Sequence, residues 1–337
     1  GPGTLFSPEN PQSLERVIKK NIKYILSGLQ NTNYPISYSD QNKVLNEYYQ
    51  IIHGKKEEKK YFQPRDFIGP SSYTLELKNV QPPSQDLSVP NIRNNYTVTD
   101  KADGIRKLCF VNAKGLIYFI TTTMEIEFTG LKTSSEDLKN SILDGEHIIH
   151  NKEGGYINLY AAFDIYYIKG KSVREKGFAP LSNDDHAGNF RLPLLNKWIQ
   201  ELNKNISSVT KNPITHAFEA KTFYIGTKTN PIFNGCNTIL QKEKDGLFRY
   251  ETDGLIFTPA EFAVGSSKVG EAGIPFKTTW DYSFKWKPPQ FNTIDFLKTG
   301  DRLIKPVDLQ ITSEEESYEI DTPFDWIIME QLIKKND

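Results

Sequence analysis

From about residue 61 onward the chain is divided into short strand-like runs, and no other feature limits its fold as much. Runs at 73–77, 96–99, 105–112, 116–123, 142–149, 156–168, 216–225, 254–258 and 282–287 are rich in β-branched and aromatic residues. They end at turn-forming segments such as Asn112-Ala113-Lys114-Gly115 and Asn151-Lys152-Glu153-Gly154-Gly155. Two amphipathic helices interrupt them, near 192–202 and 238–243. Ahead of the strands, Leu14, Val17, Ile18, Ile22, Ile25, Leu26 and Leu29 recur at helical spacing, with Gly28 near the expected stop. Val44, Leu45, Tyr48 and Ile52 predict a second helix ending at Gly54, and the charged run 54–60 reads as a solvated turn. A last helix is expected over 323–335, with Thr322 as N-cap and Pro323 in its first turn. Antiparallel strands with interspersed helices give an α+β fold. The expected organisation is a helical segment over 1–60, a main domain over 61–297 and an extension over 298–337.

Composition removes several classes of function. With 337 residues, 37% hydrophobic and 25% charged, the chain can bury a sizeable core. No apolar run approaches the roughly 18 residues that a membrane span requires. The net charge of −1 argues against indiscriminate coating of nucleic acid and leaves room for a local basic groove. Cys109 and Cys236 are too few for a disulfide scaffold and sit in no CxxC pattern, so a reducing compartment without structural zinc is expected. Five scattered histidines give little support to a histidine-based mechanism. The start, Gly1-Pro2-Gly3, reads as a cleavage scar, and so as part of a longer polypeptide.

Chemistry concentrates in five places. Lys101-Ala102-Asp103-Gly104-Ile105-Arg106 lies between two strand-like runs, so its lysine sits at a strand–loop–strand corner, and Gly104 permits close approach of a ligand. In Asp144-Gly145-Glu146 the two carboxylates fall on one face of a strand and repel unless a cation or donor-rich ligand lies between them. Phe163-Asp164 puts an acid inside an apolar strand, where it needs a partner. Asp253-Gly254 enters the buried run Leu255-Ile256-Phe257. In Tyr282-Ser283-Phe284-Lys285-Trp286-Lys287 alternation sends the aromatics to the core and both lysines to the opposite face, a ready anion site. Each piece alone also fits an ordinary turn or solvated strand face. Together they describe one pocket whose cations face phosphates and whose carboxylates can hold Mg²⁺ and ribose hydroxyls.

In kind and order these five pieces resemble the motifs of the covalent nucleotidyltransferase superfamily, the mRNA capping guanylyltransferases and ATP-dependent polynucleotide ligases. The resemblance runs over roughly 65–297. Lys285-Trp286-Lys287-Pro288-Pro289 followed by Asn292-Thr293-Ile294-Asp295-Phe296, and the context Thr99-Asp100-Lys101, are similar to the guanylyltransferase domain of multidomain capping enzymes of large DNA viruses. The resemblance implies an antiparallel-sheet core of the ATP-grasp-like, DNA ligase type. It also implies a role for each residue. Lys101 is the nucleophile on the α-phosphate of GTP, and Asp103 belongs to the nucleotide site. Arg106 and Glu146 hold the ribose, and Phe163 stacks on the base. Lys221 contacts the guanine, and Lys285 and Lys287 hold the α-phosphate. Asp253, with Glu146, supports a Mg²⁺ or Mn²⁺ ion.

GMP would then pass to the 5′-diphosphate end of RNA, with triphosphatase and methyltransferase domains expected in the full-length chain. A cytoplasmic setting follows, a viral factory or virion if the source is viral. Deprotonating a lysine of ordinary pKa, about 10.4, at neutral pH costs about 4–5 kcal/mol, which neighbouring cations would reduce. One departure is expected. Only about 40 residues follow the lysine strand, too few for the OB-fold lobe that family members carry, and Glu314-Glu315-Glu316 make that tail acidic. The alternatives are an ATP-dependent DNA or RNA ligase using Lys-AMP, and a non-catalytic nucleotide- or RNA-binding relative.

Overall fold

The computed structural model describes residues 11–30, 32–54, 58–83, 89–182, 186–210 and 213–288, together with the backbone of two strands at 297–299 and 302–304. In chain order the elements are α1 (Pro11–Leu29), α2 (Tyr38–His53), β1 (Ser71–Thr74), β2 (Tyr96–Ala102), β3 (Ile105–Val111), β4 (Leu116–Thr121), β5 (Ile126–Thr133), β6 (Ser141–His150), β7 (Tyr156–Ile168) and β8 (Lys171–Ser172). There follow α3 (Arg191–Asn205), β9 (Ile206–Ser208), β10 (Ala217–Ala220), β11 (Tyr224–Ile225), α4 (Ile232–Lys244), β12 (Thr252–Pro259), β13 (Thr279–Trp286), β14 (Leu297–Thr299) and β15 (Arg302–Ile304). The helix expected over 323–335 lies outside the described residues.

Two sheets carry the fold. One has five strands in the order β1-β13-β12-β2-β11. The other runs β10-β7-β6-β3-β4-β5-β9, with β8 paired to β7. All neighbours are antiparallel except β1–β13 and β10–β7. The second sheet is buried on both faces, which explains the near-continuous apolar character of β3. Cys109 and Val111 pack on one face with Leu195, Trp198 and Leu202 of α3. Leu108 and Phe110 pack on the other with Val44, Leu45 and Tyr48 of α2. Burying each such side chain is worth about 1.5–3 kcal/mol. Helix α2 therefore shares a core with the strands. It is delimited as its sequence demands: the Ser37 side chain accepts from the Asp40 N–H, and Gly54 ends the helix in the left-handed conformation at φ 63°. Helix α4 covers the five-stranded sheet through Phe233, Cys236 and Ile239 against Val98, Leu255 and Phe257.

Three sequence expectations change. The run 216–225 is not one strand: β10 joins the larger sheet, β11 the smaller, and Lys221-Thr222-Phe223 crosses between them. Strand β5 was not anticipated, because its Thr129-Gly130 pair interrupts the alternation; Gly130 has φ 73° and the register slips beside it. Lys59, placed in a solvated turn, instead pairs with the buried Asp66 at 2.5 Å and lies over the Tyr49 and Phe62 rings.

Candidate active site

Lys101 is the last residue but one of β2 and Arg106 the second of β3, so the corner between them joins the two sheets. A Cβ at Gly104 would stand 2.8 Å from the Glu146 side chain and 2.9 Å from the His147 carbonyl. The glycine is thus required by close packing of the corner on β6, not by approach of a ligand.

Opposite Lys101 the β2–β12 ladder bulges. Thr252 pairs with Ala102 and Leu255 with Asp100, leaving Asp253 and Gly254 to face one lysine. The bulge aims Asp253 at both motif lysines: Lys101 Nζ donates to its Oδ1 at 2.6 Å, and Lys287 Nζ lies 2.8 Å from its Oδ2. Burial alone would raise the Asp253 carboxyl, but its bonds to Lys101 and Lys287 hold it below the usual carboxylate range. Gly254 has φ 142°, and a Cβ there would meet the Trp286 carbonyl oxygen at 1.9 Å. Gly254→Ala is expected to break the β12–β13 pairing that brings Lys287 to Asp253, with a loss of several kcal/mol. A urea melt within about 0.5 kcal/mol of the unsubstituted protein would contradict that strain.

The second sheet supplies the facing wall. Arg106 pairs in register with Glu146 across β3–β6. Its guanidinium is held by the fully buried Asp144, Nε to Oδ1 at 3.1 Å and Nη2 to Oδ2 at 2.6 Å, and by the Pro70 carbonyl at 2.9 Å. The Tyr166 hydroxyl donates to the same Asp144 at 2.7 Å. Arg106 is therefore the cation that the carboxylate pair required. Phe163 sits at a slip in the β6–β7 register, between Ala162 and Asp164, and faces the cleft with the Arg106 guanidinium 5.5 Å from its ring centre. Its neighbour Asp164 finds the partner its apolar setting demanded in Arg191, fully buried at the start of α3, at 2.8 and 3.2 Å.

These walls enclose a cleft of about 1050 Å³, open mouth included, lined by Lys101, Arg106, Glu146, Phe163, Lys221 and Lys285 among others. Among the described residues Lys285 has no carboxylate within 4 Å, so its charge is open to a ligand. Lys221 is buried and pairs with the Asp100 carboxylate at 2.8 Å while donating to the Asp100 carbonyl. That grip commits its ammonium to holding the free end of β2. Asp103 stands exposed at the corner, outside the cleft lining.

The carboxylates do not form a metal cage. Both Asp253 oxygens are engaged by lysines, and no cluster of three His, Cys, Asp or Glu side chains with metal-binding geometry occurs among the described residues. Among the described residues Glu146 is the lining carboxylate with no basic side chain within 4 Å, and so the one with oxygens open to a ligand.

Burial pushes the Glu146 carboxyl up to about 7, against the pull of Lys221, Arg106 and Lys101 and with a further push from Asp144. Between its ordinary value and about 7 the folded protein holds a proton that the unfolded chain releases, so stability falls as pH rises through that window. Glu146→Gln should remove this component. In urea melts its stability advantage over the unsubstituted protein grows from pH 5 to pH 8, and a constant difference would refute the assignment.

Sequence reasoning missed Asp100, the assignment of Asp144, and Arg191. For Asp144 a signal existed, since it shares the strand face of Glu146. For Arg191 there was none, 27 residues from its partner.

Two sheets joined at a lysine-bearing corner thus wall a cation-rich cleft into which an aromatic ring faces. Comparison with known proteins gives the family. The family model described as mRNA capping enzyme, catalytic domain, matches residues 38–288, and the chain belongs to that family. A probable mRNA-capping enzyme of Acanthamoeba polyphaga mimivirus is 26% identical over 297 residues, covering 80% of this chain and 23% of that protein. The mRNA-capping enzyme of Danio rerio is 26% identical over 238 residues, 68% of this chain and 34% of the relative. That of African swine fever virus (isolate Pig/Kenya/KEN-50/1950) is 29% identical over 208 residues, 60% and 18%. The chain thus spans about a third or less of each of these relatives. A mycobacterial DNA ligase D complexed with ATP and MES overlays at a TM-score of 0.37 and 14% identity, over 66% of this chain and 60% of that one. No helix among the described residues is long and apolar enough to cross a membrane.

Proposed function

We propose that this domain is an RNA guanylyltransferase: it forms a covalent Lys101–GMP adduct from GTP and passes the GMP to a 5′-diphosphate RNA end. The observation that carries this reading is Lys101 in the cleft lining, its amine bonded to Asp253, which also binds a second amine, Lys287; Asp253 and Lys287 stand outside that lining. The ε-amine of Lys101 attacks the α-phosphorus. A P–N bond forms, the bond from that phosphorus to the bridging oxygen breaks, and pyrophosphate leaves. The amine must lose its proton to solvent; the nearby cations Lys287, Lys285 and Arg106 lower the cost of that loss by repulsion, and Asp253, hydrogen-bonded to the amine, orients it. Phosphate oxygens take over Lys287 from Asp253 and recruit Lys285. Arg106, fixed by Asp144, and Glu146 face the ribose, and Phe163 offers its ring to the base. Lys221 acts on the nucleotide through Asp100 and the β2 backbone. A Mg²⁺ or Mn²⁺ ion arriving with the triphosphate would offset the charge of the leaving pyrophosphate. In the second step the RNA diphosphate attacks the same phosphorus, the P–N bond breaks and the amine regains a proton.

Triphosphatase and methyltransferase activities elsewhere in a longer polypeptide belong to this reading as partners in the pathway. The test is incubation with α-³²P-GTP or α-³²P-ATP at saturating Mg²⁺ or Mn²⁺, followed by denaturing electrophoresis. A label with GTP alone supports it, a label with ATP alone identifies a ligase-type enzyme, and no label with either indicates a non-catalytic binding module.

A further inference from the structure

A second cleft, of about 690 Å³ with its mouth, lies between β10, α4 and the segment 247–250. It shares the Asp100–Lys221 pair with the nucleotide cleft, so that pair is a partition between the two. Its chemistry differs. Tyr224, Phe248 and Tyr250 line it, with the last two rings 5.9 Å apart. Lys242 donates to the Tyr224 hydroxyl at 2.8 Å and has no carboxylate within 4 Å among the described residues. Arg249 stands exposed at the rim, paired with Glu219. An exposed pair of this kind is worth little, so a phosphate can compete for the guanidinium. The charged side chains of the lining are Lys221, Lys242 and Arg249 against Asp100 and Glu219, a net +1 in a chain whose total is −1. Leu247, on the same segment, is 66% exposed.

Partly exposed aromatic rings interleaved with cations are how single-stranded nucleic acid is held: bases stack on the rings while the cations follow the backbone. The position suits an acceptor strand. Tyr250 precedes Asp253 by three residues, at most about 10 Å of extended chain. The Asp103 N–H at the Lys101 corner is bonded to the Glu251 carbonyl at 2.8 Å, which ties the segment to that corner. We infer that this second cleft binds the first nucleotides of a single-stranded RNA whose 5′ end reaches Lys101, an inference that rests on the guanylyltransferase reading.

The experiment uses the whole chain and a short single-stranded RNA carrying 4-thiouridine near its 5′ end. Photocrosslinks are expected on Tyr224, Phe248 or Tyr250. Fluorescence anisotropy should show the double variant Lys242→Glu, Arg249→Glu binding about tenfold or more weakly, with a salt slope shallower by about two contacts. The neutral pair Lys242→Gln, Arg249→Gln should lie between, which separates a charge effect from misfolding. Duplex RNA should bind more weakly than single-stranded RNA, because its bases are unavailable for stacking. Crosslinks confined to other surfaces, or unchanged affinity and slope in both variants, overturn the inference. GTP labelling of the unsubstituted protein is read alongside. Its failure counts against the guanylyltransferase reading, while the crosslink map and salt slope decide the cleft.

Discussion

Lys101→Ala is expected to fold with near-unchanged stability and to form no covalent nucleotide. The two halves of that result have separate causes. Lys101 keeps 23% of its side chain exposed, and its partner Asp253 retains Lys287, so the carboxylate is not left unpaired and the cost stays well below the about 3–5 kcal/mol of stripping a buried charge of its partner. The adduct, by contrast, needs a nucleophile at that corner, and alanine offers none. A thermal melt reads the first half and denaturing electrophoresis after labelling the second. The sharpest challenge comes from Lys287, whose amine touches the same carboxylate at 2.8 Å. Label surviving in Lys101→Ala and mapping to Lys287 would transfer the nucleophile's role, and label on any other residue would remove the cleft from the mechanism.

Asp144→Ala should be the most damaging single change to the fold of the site. Asp144 is fully buried, receives two bonds from Arg106 and one from Tyr166, and its loss leaves the guanidinium with the Pro70 carbonyl as its one hydrogen-bond acceptor among the described residues. Breaking a buried pair from one side costs about 3–5 kcal/mol, roughly 6–20 °C in Tm for a domain of this size. Asp144→Asn keeps part of the hydrogen bonding and should fall between. A melt for Asp144→Ala within 2 °C of the unsubstituted protein would show that Arg106 has found another partner and that Asp144 is not what holds it.

How much of this was legible in the sequence depended on whether the deciding contact was local. The alternation of Phe284, Lys285, Trp286 and Lys287 placed the aromatics in the core and the lysines opposite without knowledge of any partner strand. The repulsion between Asp144 and Glu146 announced a missing cation, though not which one, because Arg106 meets them only through the β3–β6 register. Gly104 and Gly254 looked alike as glycines beside acids. One is required by packing on β6 and the other by a bulge against β13, and neither cause can be read before the sheets pair. The splitting of 216–225 between two sheets was invisible, since both halves are strand-like. Yet that crossing is what carries Lys221 to Asp100.

The doubly bridged Asp253 has a consequence for which anions gain entry. Asp253, beside the cleft, holds Lys101 and Lys287, so an entering anion competes with an internal counter-ion already at hydrogen-bond distance. A single phosphate group, such as inorganic phosphate, can engage Lys285 without displacing that acid, and gains too little from it to win the exchange. A polyphosphate chain can engage several cations together. On the guanylyltransferase reading, selection by the number of phosphate groups thus precedes any reading of the base.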